Sequence, residues 1–342
     1  MKEINHSELK SVVKTFYDKK LSLFVWGTFG IGKSTIIKEV ADELKINCID
    51  VRISQLEPSD LRGIPKVDGI VTRWLPPSWL PSDKDSKGIL FFDEINLAPP
   101  SIQASCYQLI LDRRLGDYVL PNGWVVVSCG NRIEDRANVF ELPSPLANRF
   151  CHIGLRVPTI DEWTDWGLNN GTQIDSRIIA FLQFKPSRIF AYDSKNKDKA
   201  IGTPRSWEFC SKLIKDVSDL DVLETLVSSA VGEAVAIEFI AFIKLQRKID
   251  VEDLIKNPEK VKEIKEIDLK YSLLPTITEY FNKHKKADVL KSIVLICNNM
   301  EAEFSVLLLR LIKSSDKTFF LKEAIQIKEF KELARLSSKY LL

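Results

Sequence analysis

The chain has 342 residues, enough for one large or two medium domains with separate cores. Hydrophobic residues make up 45% and charged residues 28%, a globular composition that excludes a disordered chain. Its 49 basic and 47 acidic residues leave a formal net charge of +2, so no basic excess argues for a nucleic-acid partner.

In chain order, MKEINHSELK is polar and charged and lacks the apolar core of a secretory signal. Residues 8–19 have the periodicity of an amphipathic helix. LSLFVWG (21–27) is nearly all apolar, as in a strand buried on both faces. A glycine-rich turn follows, and KSTIIKEVADEL resumes helical periodicity. NCIDVRIS (47–54) predicts a second strand. The stretch from 55 to 87 is long for a simple loop and predicts functional substructure. GILFFDEI (88–95) predicts a third strand, SIQASCYQLILDRR (101–114) a helix, and RLGDYVLPNGW a β-hairpin. WVVVSCGN (124–131) and CHIGLRVP (151–158) predict strands four and five. The alternation of strand and helix argues for an α/β fold with a parallel sheet.

After Pro158 the pattern turns helical, as in TIDEWTDWGL and DSRIIAFLQF, and predicts a separate all-helical region. From about residue 250 a further helical, mixed-charge segment carries no evident chemistry. The longest apolar runs, SIVLIC and SVLLLRLI, are too short to span a membrane. Cys48, Cys106, Cys129, Cys151, Cys210 and Cys297 form no CxxC pair, and His6, His152 and His284 give no metal-ligand spacing. The expectation is buried free thiols in a reducing cytoplasm.

GTFGIGKS matches G-x-x-x-x-G-K-[ST] without a mismatch, between a buried strand and an amphipathic helix. Gly27, Thr28, Phe29, Gly30, Ile31, Gly32, Lys33, Ser34 and Thr35 are the candidate phosphate-binding residues. The glycines let backbone N–H groups curl toward phosphate oxygens, and the helix N-terminus adds its dipole. Lys33 would reach the β- and γ-phosphates, and Ser34 would help hold Mg2+.

Asp93 and Glu94 end the strand ILFF. The carboxyl end of a central strand lies beside the phosphate loop in such sheets. There Asp93 would hold the metal, and Glu94 would orient and deprotonate a water, which points to hydrolysis. Asn131 follows the strand VVVSCG and would position that water by hydrogen bonding. Read locally, Gly130-Asn131 is also ordinary turn chemistry. GTPRSWE reads as a helix start with Thr203 as N-cap and Pro204 as first residue. Arg205 then opposes the helix dipole, a mild misfit that fits a role on a phosphate. SPLANR reads as a short helix with Ser144 as cap. At its end Arg149 suits the dipole and locally needs no other explanation.

Taken in order, GTFGIGKS, FFDEIN, SCGN, LPSPLANRF and GTPRSWE resemble the Walker A, Walker B, sensor 1, arginine finger and sensor 2 motifs of AAA+ ATPases, in the MoxR-like group. The resemblance covers about residues 8–248, and DEINLAPP and LANRF are its most MoxR-like pieces. It implies a P-loop NTPase large domain at 1–158 with an insert at about 55–87, and a helical lid at 159–248. Residues 249–342 form a C-terminal helical extension that matches nothing in the family pattern. The resemblance assigns ATP and Mg2+ as substrate and cofactor, Glu94 as base and Asn131 as water-positioning residue. It places Arg205 on the γ-phosphate from the lid and Arg149 on the nucleotide of a neighbouring subunit. Arg113, Arg114, Arg132 and Arg136 are unranked candidates for a second interface arginine.

The family implies a homo-oligomeric ring, usually a hexamer, that remodels a protein client. A von Willebrand factor A domain protein is an expected partner. The location is expected to be cytoplasmic, without a membrane or a nucleic-acid partner. Three competing functions remain: a nucleic-acid motor with Lys66 and Arg73 facing the pore, a chelatase-type metal-insertion subunit, and a non-hydrolysing structural ring or nucleotide-sensing scaffold, against which the intact Glu94 argues.

Overall fold

The computed structural model describes residues 1–135, 139–169, 174–192 and 199–336. Two compact units divide the chain, Met1–Pro158 and Thr159–Leu342.

The first unit is built on a six-stranded parallel sheet. In chain order its strands and hairpins are β1 (Glu3–Ile4), β2 (Leu23–Trp26), β3 (Asn47–Arg52), β4 (Ile64–Asp68), β5 (Val71–Leu75), β6 (Lys87–Asp93), β7 (Arg114–Leu115), β8 (Tyr118–Val119), β9 (Gly123–Gly130) and β10 (Cys151–Leu155). The sheet order is β1-β10-β2-β9-β6-β3. All five expected strands are present, and β1 is added at the edge, pairing with β10 over Glu3 and Ile4. Two residues carry no readable periodicity, which is why that strand escapes a sequence reading.

Alternation along the strands decides what each face of the sheet meets. Phe24, Leu90, Phe92, Trp124 and Val126 join one buried cluster with Ile102, Leu109, Leu146 and Phe150. The helices that contribute to that cluster are α3 (Pro58–Arg62), α4 (Pro100–Ser105), α5 (Tyr107–Leu111) and α6 (Ser144–Ala147), and they follow α1 (His6–Lys19) and α2 (Lys33–Leu44) in the chain. α1 buries Leu9, Val13 and Tyr17, a spacing of four that makes one stripe. Asn5 caps it, and Glu8 returns the bond to complete a capping box. α2 follows the phosphate loop directly and buries Ile36, Ile37, Val40 and Ala41.

Three local expectations need correction. The helix expected over 101–114 is two short helices, because the chain tightens at Cys106, whose N–H bonds to Gln103 rather than one residue further back. Ser144 is not a cap: Pro143 occupies that position and no side chain caps α6. Of the cysteines, Cys151 is exposed and Cys48 half-buried, whereas Cys106, Cys129, Cys210 and Cys297 are buried as expected, and all six are free thiols.

The 55–87 stretch holds α3 and an antiparallel hairpin, β4 with β5, in which Lys66 pairs with Arg73. Every residue of both hairpin strands is exposed, including Ile64, Val67, Val71, Trp74 and Leu75.

The described part of the second unit is helical: α7 (Ile160–Asn169), α8 (Ser176–Phe184), α9 (Pro204–Leu213), α10 (Leu220–Val231), α11 (Glu233–Gln246), α12 (Val251–Lys256), α13 (Ile267–Lys283), α14 (Ala287–Asn298), α15 (Ala302–Ser315), α16 (Lys317–Ala324) and α17 (Lys328–Leu336). Ile178, Ile179, Ala180, Phe181 and Leu182 are fully buried, so α8 is hydrophobic all round and sits at the centre. One cluster runs from Trp207 and Phe239 through Leu273, Phe281, Ile293 and Leu308 to Phe320. The packing therefore passes without a break through residues 248 and 249. Among the described residues no helix is long and apolar enough to cross a membrane.

Candidate functional site

The parallel register brings the carboxyl ends of three neighbouring strands to one place. Trp26 of β2 lies opposite Gly130 of β9, and Phe92 of β6 lies opposite Ser128 of β9. The residues that continue these strands are Gly27, Asn131 and Asp93, so the fold gathers three of the expected motifs at one end of the sheet.

The phosphate loop has the backbone its glycines suggest. Gly30 and Gly32 have φ of 69° and 92°, left-handed conformations that favour glycine. Left-handed glycines alternating with ordinary residues turn successive N–H groups inward to form an anion-binding nest, with the N-terminus of α2 behind it. Lys33 opens α2 and is only 7% exposed. Its Nζ donates to the Gly27 carbonyl (2.6 Å), the Thr28 carbonyl (2.8 Å) and Asn131 Oδ1 (2.9 Å). Three oxygens thus take all three protons of the ammonium form. Burial pushes the Lys33 pKa below its ordinary 10.5, while Cys129, Asp93, Asp135 and Glu94 pull it upward.

Ser34 Oγ donates to Asp93 Oδ2 at 2.6 Å, so the two expected metal ligands meet. A hydroxyl and a carboxylate are the hard oxygen donors that Mg2+ takes beside substrate phosphates, so the pair fits that ion. Among the described residues no cluster of three or more His, Cys, Asp or Glu is placed to hold a metal without such help. Glu94 follows Asp93 with φ of 54°, an uncommon conformation for a residue with a side chain. Strain of this kind, of order 1–3 kcal/mol, gathers at functional sites. Among the described residues the Glu94 carboxylate takes no hydrogen bond, and it is half-buried.

Asn131 is 5% exposed. Besides accepting from Lys33 it is held through its backbone by Asn96, whose Nδ2 donates to the Asn131 carbonyl (2.7 Å) and whose Oδ1 accepts from the Asn131 N–H (3.2 Å). Gly130 belongs to β9 and does not have a positive φ, so turn chemistry is not its reason. A Cβ there would lie 2.7 Å from Asn96 Oδ1 and 2.8 Å from the Phe24 ring.

Two further residues at the loop have no motif to announce them. His6 Nε2 donates to the Ile31 carbonyl at 2.6 Å, bracing the loop from the first turn of α1. His152 accepts from Trp26 Nε1 on Nδ1 (3.0 Å) and donates from Nε2 to the Ala147 carbonyl (2.8 Å). It ties the strand that leads into the phosphate loop to the helix that precedes Arg149.

The arginines stand apart from this network. Arg149 donates from Nη1 to the Pro145 carbonyl (2.6 Å), and its guanidinium carbon lies 5.4 Å from the centre of the Tyr107 ring. Its Nε is buried without a partner among the described residues. Arg205 is exposed on the first turn of α9, where Thr203 is the N-cap and Pro204 the first residue, as read from the sequence. It makes no hydrogen bond or ion pair among the described residues. Of the other interface candidates, Arg113 donates to the Pro121 carbonyl, and Arg132 bonds the Leu155 carbonyl and Glu3. Arg114 is exposed in β7, and Arg136 lies outside the described residues.

Residues 22–150 match the family model described as AAA domain (dynein-related subfamily). That span holds the phosphate loop, Asp93, Glu94, Asn131 and Arg149, and leaves Arg205 outside. No curated protein matches the chain. Similar solved structures include RuvB of Thermotoga maritima, a Holliday junction branch migration motor. It is 17% identical, covers 72% of this chain and 76% of that chain, and has a TM-score of 0.42. NtrX from Brucella abortus, solved with ADP, is 12% identical over 97% of this chain and 67% of that chain, with a TM-score of 0.41. The family match and the parallel sheet around the phosphate loop together give this chain an AAA domain over residues 22–150, in the P-loop NTPase fold of an ATPase.

Proposed function

We propose that the protein is a MoxR-like, ring-forming ATPase that uses Mg2+-dependent ATP hydrolysis to remodel a protein partner. The observation that carries the reading is the meeting of Lys33, Ser34, Asp93 and Asn131 at one end of the sheet, with Glu94 next in the chain. The loop N–H groups and Lys33 bind and orient the triphosphate. Ser34 and Asp93 would hold Mg2+, which would supply neutralising charge to the triphosphate. Glu94 takes the proton of the attacking water, and Asn131 orients that water. Arg149, whose described hydrogen bond uses Nη1 alone, stabilises the developing phosphate charge in a neighbouring copy through its guanidinium. Arg205 contacts the γ-phosphate from a lid formed by 159–248, and the ring is a hexamer. The client is a protein, with a von Willebrand factor A domain protein as the first candidate.

The test compares ATP turnover and particle size for the native chain and Glu94→Gln. Expected are turnover by the native chain, loss of turnover in the variant, and a larger ATP-bound particle in both. No turnover by the native chain, with or without a partner, removes the reading.

A second reading, a motor acting on nucleic acid, draws on the exposed hairpin where Lys66 faces Arg73 beside Trp74. Against it, Arg73 Nε already pairs with Asp68 at 3.0 Å. ATP-stimulated, salt-sensitive DNA binding favours this reading, and its absence at low salt removes it.

A further inference from the structure

Asn96 is 1% exposed and lies three residues after Asp93, in a single turn of 3-10 helix that begins beyond the left-handed Glu94. A buried amide needs partners for both ends of its side chain. Asn96 gives both ends to the backbone of one residue, Asn131, as a neighbouring strand would. Its own carbonyl accepts from the Phe140 N–H at 2.7 Å, on the segment that leads to α6 and Arg149. The turn after the acidic pair, the end of β9 and the approach to the arginine are thereby fastened at one residue. Gly130 completes the arrangement, since any side chain there would press on Asn96 Oδ1.

We propose that Asn96 is a positioning residue for hydrolysis. It sets the height and direction of the Asn131 side chain relative to Glu94 by gripping the Asn131 peptide from the turn that carries Glu94. The proposal rests on the reading of Asn131 as the residue that orients the attacking water. The grip is stronger than packing alone requires. A buried apolar residue would fill the same space, but it would leave the Asn131 N–H and carbonyl to find other partners. The grip touches no phosphate itself and reaches Lys33 only through the Asn131 amide, so its main effect is expected on turnover rather than on nucleotide affinity.

The experiment measures kcat and KM for ATP, with ADP affinity as the check on folding, in Asn96→Asp, Asn131→Ala and the double variant. Asn96→Asp keeps the size and the acceptor for the Asn131 N–H but sets an oxygen against the Asn131 carbonyl. Expected is a fall in kcat of about 10-fold or more, with KM and ADP affinity within about 2-fold, as for residues that orient a functional group. In the Asn131→Ala background the same substitution is expected to cost nothing further, because the side chain it positions is gone. Gly130→Ala, which presses on the Asn96 Oδ1 that accepts from the Asn131 N–H, serves as the second variant should Asn96→Asp fail to bind ADP, and the same kcat loss and the same non-additivity are expected. Unchanged kcat in Asn96→Asp, or a loss that multiplies with that of Asn131→Ala, overturns the proposal. Full turnover by Asn131→Ala alone removes the reading of Asn131 and this proposal with it.

Discussion

At the carboxyl end of the sheet, Lys33, Ser34, Asp93, Asn96 and Asn131 satisfy one another. Arg149 and Arg205 do not belong to any such circuit. One spends a single donor on its own helix and keeps Nε unpartnered, and the other lies open on a first helical turn. Both regions were read from the same kind of motif, yet they differ in what completes them. The sheet end needs only the fold of its own unit. A guanidinium with donors not engaged by its own unit suits a phosphate arriving from elsewhere.

That contrast is open to direct attack. The largest effect belongs to Lys33, because its ammonium is buried and all its acceptors converge. Lys33→Ala is expected to abolish ADP binding in calorimetry and to lower turnover by about 1,000-fold or more. Arg149→Ala is the sharpest comparison. Turnover by the assembled protein should fall by about 1,000-fold, as on loss of an arginine finger, with ADP affinity largely intact. If a monomer hydrolyses ATP at full rate, Arg149 returns to being a helix-end charge. Glu94→Gln should cost about 100- to 10,000-fold in kcat while ATP binding persists.

Smaller effects test the circuit itself. Gly130→Ala forces a Cβ to 2.7 Å from Asn96 Oδ1 and should cost about 1–3 kcal/mol in chemical denaturation. The Lys33 pKa supplies the smallest effect, one of pH. Burial holds it below 10.5, so above the folded value the unfolded chain binds more protons than the native one. Its contribution to native stability therefore rises with pH through that window. Nucleotide affinity should run the other way, since phosphate favours the ammonium form. ADP titrations from neutral toward alkaline pH should show weakening accompanied by proton uptake, and a flat profile contradicts it.

Much of the first unit was legible because its signals are short-range. Five strands carry apolar runs, and the phosphate loop carries its glycines between a strand and a helix. Local reading failed where local signals compete. Pro143 displaced Ser144 as the helix start, and the 101–114 helix tightened at Cys106. Residue pairs far apart in sequence were not legible at all. β1 exists only because Glu3 and Ile4 find β10 about 150 residues later. His6 looks like a surface residue of an N-terminal helix until its ring reaches Ile31.

By itself the amino-acid sequence determined a loop of the phosphate-binding pattern, because glycine spacing, a lysine and a hydroxyl act within one short stretch. It also determined the alternation that makes a parallel sheet, because period and burial are properties of each segment. Only the tertiary structure decided that Lys33 meets Asn131 across 98 residues and that Asn96 grips Asn131 across 35. The reason is that buried polar groups must find partners, and which partner is within reach depends on strand order and register rather than on neighbours in the chain. Strand order turned Gly130 from a turn residue into the space that Asn96 occupies.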